Sequence, residues 1–129
     1  LNIYHEARNQ PLVGKLAVGL VTLNRVKDVR FPNTICGVVY QGSYSNNAPI
    51  KNRCHFSWWC DGKSDKPKDL QSWNKSLDLS QKLYEGFFDG LNLVRGATHY
   101  HATYVTPYWA YKKKKVKIIA DHVFYRWEK

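Results

Sequence analysis

Residues 11–27 read PLVGKLAVGLVTLNRVK. Leu12, Leu16, Leu20 and Leu23 recur at helical spacing, and Val13, Ala17 and Val21 widen the stripe beyond one face. An apolar surface this broad predicts a central, largely buried helix. Asn9 or Gln10 is expected to cap it, with Pro11 in the first turn, where a missing N–H costs little. Arg25 and Lys27 suit the negative end of the helix dipole and place the stop near Lys27. A buried helix needs neighbours on every side, and the flanking sequence supplies them.

Upstream, residues 1–8 (LNIYHEAR) read as the end of a helix stopped by Asn9-Gln10-Pro11. Downstream, Phe31-Pro32-Asn33-Thr34 reads as a turn with a new cap, leading into a short helix over Ile35 to Tyr40. Residues 41–68 are polar and read as a long loop, apart from the aromatic island CHFSWWC at 54–60. Loops of this length in a compact domain are functional or disordered, and Phe56, Trp58 and Trp59 argue against disorder. A long helix is predicted from Asp69 to Asp89, with Leu70, Trp73, Leu77, Tyr84 and Phe87 as its stripe and Gly90 as its stop. Thr98–Val105, Val116–Ala120 and His122–Trp127 read as strands. The expectation is one α+β domain over residues 1–129, helices first and a small antiparallel sheet last.

The 129 residues carry 20 Lys+Arg against 10 Asp+Glu, a formal charge of +10 that points to an anionic partner. With 43% hydrophobic residues the chain is too apolar for a disordered basic tail. No apolar run approaches the roughly 18 residues of a membrane-spanning helix. The best one, Leu16–Leu23, breaks at Asn24-Arg25. There is no Met, and Leu1 opens straight into a helix-compatible stretch, which predicts a processed or excised chain. Cys36, Cys54 and Cys60 leave at least one thiol unpaired in a monomer. An oxidising compartment would allow one disulfide, and the sequence does not choose the pair.

Acids are scarce enough to inspect singly. Asp28, Asp65, Asp69, Asp78, Asp89 and Glu128 read as capping or solvated groups, and Glu85 as an exposed partner of Lys82. Glu6 differs, because it lies among Ile3, Tyr4 and Ala7, close to the turn before the central helix. A carboxyl in such surroundings resists ionisation, the property a general acid needs at neutral pH. Asp61, in Cys60-Asp61-Gly62, reads as an Asx turn. In His99-Tyr100-His101, strand alternation sends both histidines to one face and Tyr100 to the other. Two such histidines could begin a zinc site completed by His55 or a cysteine, but no third ligand has a diagnostic spacing. The aromatics at 56–59 and 100–111 suit a carbohydrate cleft or stacked bases. Lys112 to Lys115 could meet nucleic acid non-specifically or form a solvated loop.

These motifs in order resemble the opening of the SleB/CwlJ-type cell wall hydrolases, a group that includes the spore-cortex-lytic enzymes. The resemblance runs through Tyr4-His5-Glu6-Ala7-Arg8, Gly14, Ala17-Val18, Leu23-Asn24-Arg25-Val26 and Phe31-Pro32-Asn33-Thr34. It continues with Val38-Val39-Tyr40-Gln41, Cys54 to Gly62 and Gly96 to Ala102, and closes on Pro107-Tyr108-Trp109-Ala110 and His122 to Tyr125. It covers nearly the whole chain. Two features depart from the common pattern: Asn9-Gln10 follows Arg8 where many relatives carry Gly-Glu, and the Cys-flanked segment with His-Tyr-His is similar to a proteobacterial and phage-like branch.

The resemblance implies a lysozyme-like catalytic domain acting on peptidoglycan glycan strands, with the Glu of Glu-Ala-Arg, here Glu6, as catalytic acid. No cofactor or metal is expected, nor a specific nucleic acid, and the chain is expected as a monomer. Phe56, Ser57, Trp58, Tyr100, Tyr104 and Trp109 would line sugar subsites, with His99 or His101 on acetamido or lactyl groups. Asn24 and Arg25 would orient the Glu6 region or simply pack. A hydrolase needs a second carboxylate, whereas a lytic transglycosylase can use one Glu as acid and then base. The shortage of acids favours the transglycosylase, acting on the bond between N-acetylmuramic acid and N-acetylglucosamine. Asp61 is the possible second acid for the alternative, a hydrolytic muramidase. A non-catalytic basic module for glycan or nucleic acid is the other alternative. The expected setting is the periplasm or cell wall after export, or a phage-encoded enzyme acting on a host wall.

Overall fold

The computed structural model describes residues 1–128. Helix α1 spans Asn2–Ala7, α2 Leu12–Lys27, α3 Ile35–Val39 and α4 Leu70–Tyr84. Strands β1 (Gly42–Ser45) and β2 (Ala48–Cys54) form an antiparallel hairpin, and β3 (His99–Ala102), β4 (Lys114–Ile119) and β5 (His122–Arg126) form a second sheet in the order β3-β5-β4.

The quoted stretch is the central helix. Every residue from Gly14 to Thr22 is buried, as expected of a helix that is apolar on nearly all sides. Leu16, Ala17, Leu20 and Val21 pack with Ile3, Leu79, Leu83, Ile119 and Phe124. The first turn departs from the expectation: Leu12 and Val13 are 69% and 43% exposed, because α2 begins beyond the core. Pro11, with extended backbone, occupies the cap position. Neither Asn9 nor Gln10 caps; the Gln10 amide instead donates to Asp121 Oδ2 at 3.1 Å, joining this corner to the β4–β5 turn.

Thr34 caps α3 as read, its hydroxyl accepting from the Gly37 N–H at 3.0 Å. Residues 41–68 are not one loop. Asn46 and Asn47 both take positive φ (52° and 65°), the primed-turn geometry whose twist matches paired strands, and so close β1 onto β2. A 3-10 turn over Ser57–Cys60 follows. It is closed by a Cys54–Cys60 disulfide, leaving Cys36 free and exposed.

Helix α4 is shorter than the reading of 69–89, and it buries another face. Asp69 caps it, accepting from the Ser72 N–H at 3.1 Å and the Ser72 hydroxyl at 2.7 Å. Gly86 (φ +84°) ends it: its N–H bonds Leu83 O, and the Phe87 N–H bonds Lys82 O. That is a Schellman closure four residues before Gly90. The buried positions are Ser76, Leu79 and Leu83, whereas Leu70, Leu77, Tyr84 and Phe87 are exposed. A small Ser76 lets α4 lie close to its neighbours, a steric requirement that a hydrophobic stripe does not reveal. Lys82 pairs with Asp78 at 3.0 Å rather than with Glu85, which accepts from Gln81.

The C-terminal sheet forms from the three stretches read as strands, although β3 ends at Ala102 instead of Val105 and β4 begins at Lys114 instead of Val116. Tyr100 lies opposite Phe124 and His101 opposite Val123. Its alternation decides what meets the helices. Tyr100 and Phe124 face the core around α2, while His101 and Tyr125 face away with Trp109 over them.

Candidate active site

Helix α1 is too short to stand alone, so its neighbours fix it. Tyr4, 1% exposed, accepts the N–H groups of Lys68 (3.0 Å) and Asp69 (3.1 Å) at its hydroxyl. Its ring meets Trp73 edge-on at 6.0 Å. Asn2 Oδ1 accepts the Trp58 indole N–H at 2.8 Å, and His5 stacks on Trp58 at 4.6 Å. These contacts aim the next side chain, Glu6.

Glu6 lies where two hollows meet. One, of about 870 Å³, is lined by Tyr4, His5, Glu6, Arg8, Ser57, Trp58 and Asp61, and by Lys63, Ser64, Lys66, Lys68 and Asp69. The other, of about 320 Å³, shares His5, Glu6 and Arg8 and adds Ala102, Tyr104, Asp121 and His122. Together they form a cleft with Glu6 near its middle.

The Glu6 carboxyl accepts the Tyr100 hydroxyl. Burial raises its pKa above the ordinary carboxylate value, while the Tyr100 hydrogen bond and the charge of Arg25 pull it down. The Tyr100 hydroxyl is itself raised well above 10 by burial and by the adjacent Glu6, so it stays a donor. Arg25, 6% exposed, lies between the Phe31 and Phe56 rings at 5.0 and 5.1 Å, and its Nε donates to Thr98 O at 2.6 Å. Its Nη1 has no hydrogen-bond partner among the described residues, which leaves a buried cation facing the Glu6–Tyr100 pair. Beside it, the Asn24 amide donates to Ala97 O at 2.9 Å. The last turn of α2 thereby fixes where β3 starts, and so where Tyr100 lands.

The chain matches the Cell Wall Hydrolase family over residues 9–125. It belongs to that family. Its relatives include a spore cortex-lytic enzyme of Halalkalibacterium halodurans, 28% identical over 95% of this chain and 32% of that protein. Another, from Bacillus cereus, is 26% identical over 95% of this chain and 40% of the relative. The chain thus spans a third to two-fifths of those proteins. Two solved structures share the fold. The catalytic domain of the germination-specific lytic transglycosylase SleB from Bacillus anthracis has a TM-score of 0.67 at 25% identity, covering 97% of this chain and 88% of that one. The catalytic domain of Bacillus cereus SleB has 0.63 at 26%, covering 97% and 84%. The fold of this cell wall hydrolase is therefore the lysozyme-like α+β arrangement.

Against that frame the residues singled out in the sequence divide into groups. Glu6, Ser57, Trp58 and Asp61 line the larger hollow, Tyr104 the smaller one, and Tyr100 reaches Glu6 directly. Phe56 does not line the cleft; at 3% exposure it packs with Val38 and Val39 beneath Arg25. His99, His101 and Trp109 lie on the opposite face of the sheet from Tyr100, because strand alternation separates them from it. There His101 Nδ1 donates to Ala102 O at 2.7 Å, and its Nε2 meets the Tyr125 hydroxyl at 2.8 Å. Cys54 and Cys60 bond each other, and among the described residues no three His, Cys, Asp or Glu converge as metal ligands.

Asp61 does make the anticipated Asx turn, accepting from the Lys63 N–H at 2.9 Å. Reading the sequence missed Tyr4, His5 and Arg8 as lining residues, although they flank Glu6 in the motif. It also missed the Lys63–Lys68 stretch, which carried no signal beyond its charge.

Proposed function

We propose that this cell wall hydrolase is a lytic transglycosylase, cleaving the bond between N-acetylmuramic acid and N-acetylglucosamine with Glu6 as sole acid and base. The observation that carries the reading is the desolvated Glu6 carboxyl, bonded to Tyr100 and flanked by Arg25, at the middle of the cleft. Burial favours the protonated carboxyl, the form that gives its proton to the leaving glycosidic oxygen as the C1–O bond breaks. The resulting carboxylate, held by the Tyr100 hydroxyl, then takes the proton from the C6 hydroxyl of the same muramic residue. That oxygen attacks C1, giving a 1,6-anhydro product with no water consumed.

The other acids of the cleft are occupied. Asp69 caps α4, Asp121 accepts from Gln10, and one oxygen of Asp61 closes its turn. Asp61 nonetheless lines the hollow that holds Glu6, which supports a hydrolytic second reading with Asp61 activating water. Mass spectrometry of digested sacculi separates the two: anhydro-muropeptides for the transglycosylase, reducing ends lost in Asp61→Asn for the hydrolase. Glu6→Gln is expected to cut product release by about 10³-fold while leaving the circular dichroism spectrum unchanged; retained activity would sink the assignment. We infer action outside the cytoplasm, on the organism's own wall or on a host's. The Cys54–Cys60 disulfide supports this.

A further inference from the structure

The segment from Asp61 to Asp69 has no regular secondary structure, yet it is built into the site. It starts at the disulfide-closed turn and ends at the cap of α4. In between, the His5 Nε2–H donates to Asp65 O at 2.8 Å, and the Tyr4 hydroxyl takes the Lys68 and Asp69 N–H groups. Both anchors are on α1, within two residues of Glu6. The segment is therefore one wall of the cleft, held in register with the acid.

That wall turns its lysines into the hollow. Lys63, Lys66 and Lys68 line the hollow with Glu6 and are exposed. Among the described residues the ion pairs are Arg30–Asp28, Lys82–Asp78 and Arg126–Glu128, so none of the three is neutralised at contact distance. Of the three aspartates in the same segment, Asp65 does not line the hollow, Asp69 accepts from Ser72 and Asp61 from the Lys63 N–H, so this wall turns three ammonium groups against two carboxylates into the hollow. Neutral sugars need aromatic faces and hydrogen-bonding groups, which Tyr104 and Ser57 offer; they gain little from three ammonium groups. A muramic residue that keeps its stem peptide carries free carboxylates projecting from the lactyl group. Fixed cations beside the sugar path match that charge, and they add affinity and discrimination at close range.

We propose that the Lys63–Lys68 wall recognises stem-peptide carboxylates, making peptide-bearing glycan strands the substrate class of this enzyme in preference to peptide-free strands. The proposal rests on the glycan-cleaving reading above and names what that cleft selects. The experiment compares peptide-bearing strands with strands stripped of peptide by an amidase, measuring both kcat/KM and the Kd of soluble fragments. Wild type is expected to favour peptide-bearing strands about tenfold, and more at low salt, since exposed charges are screened over about 10 Å at 0.1 M. The triple variant Lys63→Gln, Lys66→Gln, Lys68→Gln should lose that ratio. A control with Lys112→Gln, Lys114→Gln and Lys117→Gln removes the same charge outside the cleft and should retain it.

Equal handling of both strands by wild type, or equal loss of the ratio in both triple variants, overturns the proposal and leaves the cleavage reading standing. If neither strand is cleaved but the Kd ratio still depends on Lys63, Lys66 and Lys68, the cleavage reading fails and carboxylate recognition survives.

Discussion

For the proposed reaction Glu6 must hold a proton at neutral pH and then act as its acceptor, and its neighbours pull in opposite directions. Burial raises its proton affinity; the Tyr100 hydroxyl and the Arg25 charge lower it. Removing either partner takes away stabilisation of the carboxylate, so the Glu6 pKa must rise further. In Tyr100→Phe the alkaline limb of the kcat–pH profile is expected to move to higher pH. Loss of a hydrogen bond to a charged group should also cost about tenfold in kcat at the optimum. An alkaline limb that stays put would show that Tyr100 only packs. In sequence Glu6 stands out as a carboxyl among Ile3, Tyr4 and Ala7, but it is the resemblance of Glu-Ala-Arg to the family motif that implies its role. Tyr100 was legible only as the odd residue between two histidines. Alternation said that it points away from them, but not which face meets Glu6, since a one-residue change of register reverses every side chain.

Among the elements, the Ser57–Cys60 turn bears most directly on the cleft, because it presents Ser57 and Trp58 beside Glu6. Its bridge closes a loop between residues six apart, for which chain-entropy arguments give about 2 kcal/mol. Cys54→Ser with Cys60→Ser should therefore lower unfolding stability by about 2 kcal/mol. It should raise KM more than it lowers kcat, since Trp58 lines the hollow and Glu6 is held by other contacts. A wild-type denaturation midpoint in the double variant would count against this. The same region shows where sequence reading ran out. The β1–β2 hairpin has polar, exposed strands, so no alternation marked it, and its Asn46-Asn47 turn lacks the glycine of the strongest hairpin signal. Helix α4 was found, but its face was misassigned, because the apolar residues at 70, 77 and 84 stay outside while Ser76 goes in. The central helix read well because almost all of it is buried, and a burial pattern that broad does not depend on choosing a face.

Stability of the whole molecule should depend on pH in a way that its high positive charge alone does not predict. His99 lies among Phe31, Trp109 and Trp127, and burial first, then the charges of Arg25, Lys113, His55 and Arg30, lowers its pKa from 6.5 to about 3. His55 and His122 shift the same way, also chiefly through burial. Between pH 6.5 and about 3 the unfolded chain binds a proton at His99 that the native state refuses, so stability falls as pH drops through that window. Glu6 has the opposite sign. Its native pKa is raised, so its contribution is complete below the unfolded value of 4.5 and is lost as pH rises through the native one. The histidines thus penalise acid, and Glu6 penalises the ionisation that higher pH brings. Two variants separate these contributions in urea unfolding at pH 5 and pH 7.5. His99→Gln, whatever it loses in ring contacts, should show a smaller fall in stability from pH 7.5 to pH 5 than wild type. Glu6→Gln should be more stable than wild type at pH 7.5, with the difference shrinking towards pH 4, because the buried charge it removes exists only when Glu6 is ionised. An unchanged fall in the first variant, or a loss of stability at pH 7.5 in the second, would mean that the desolvation of these two groups does not govern how the fold responds to acid.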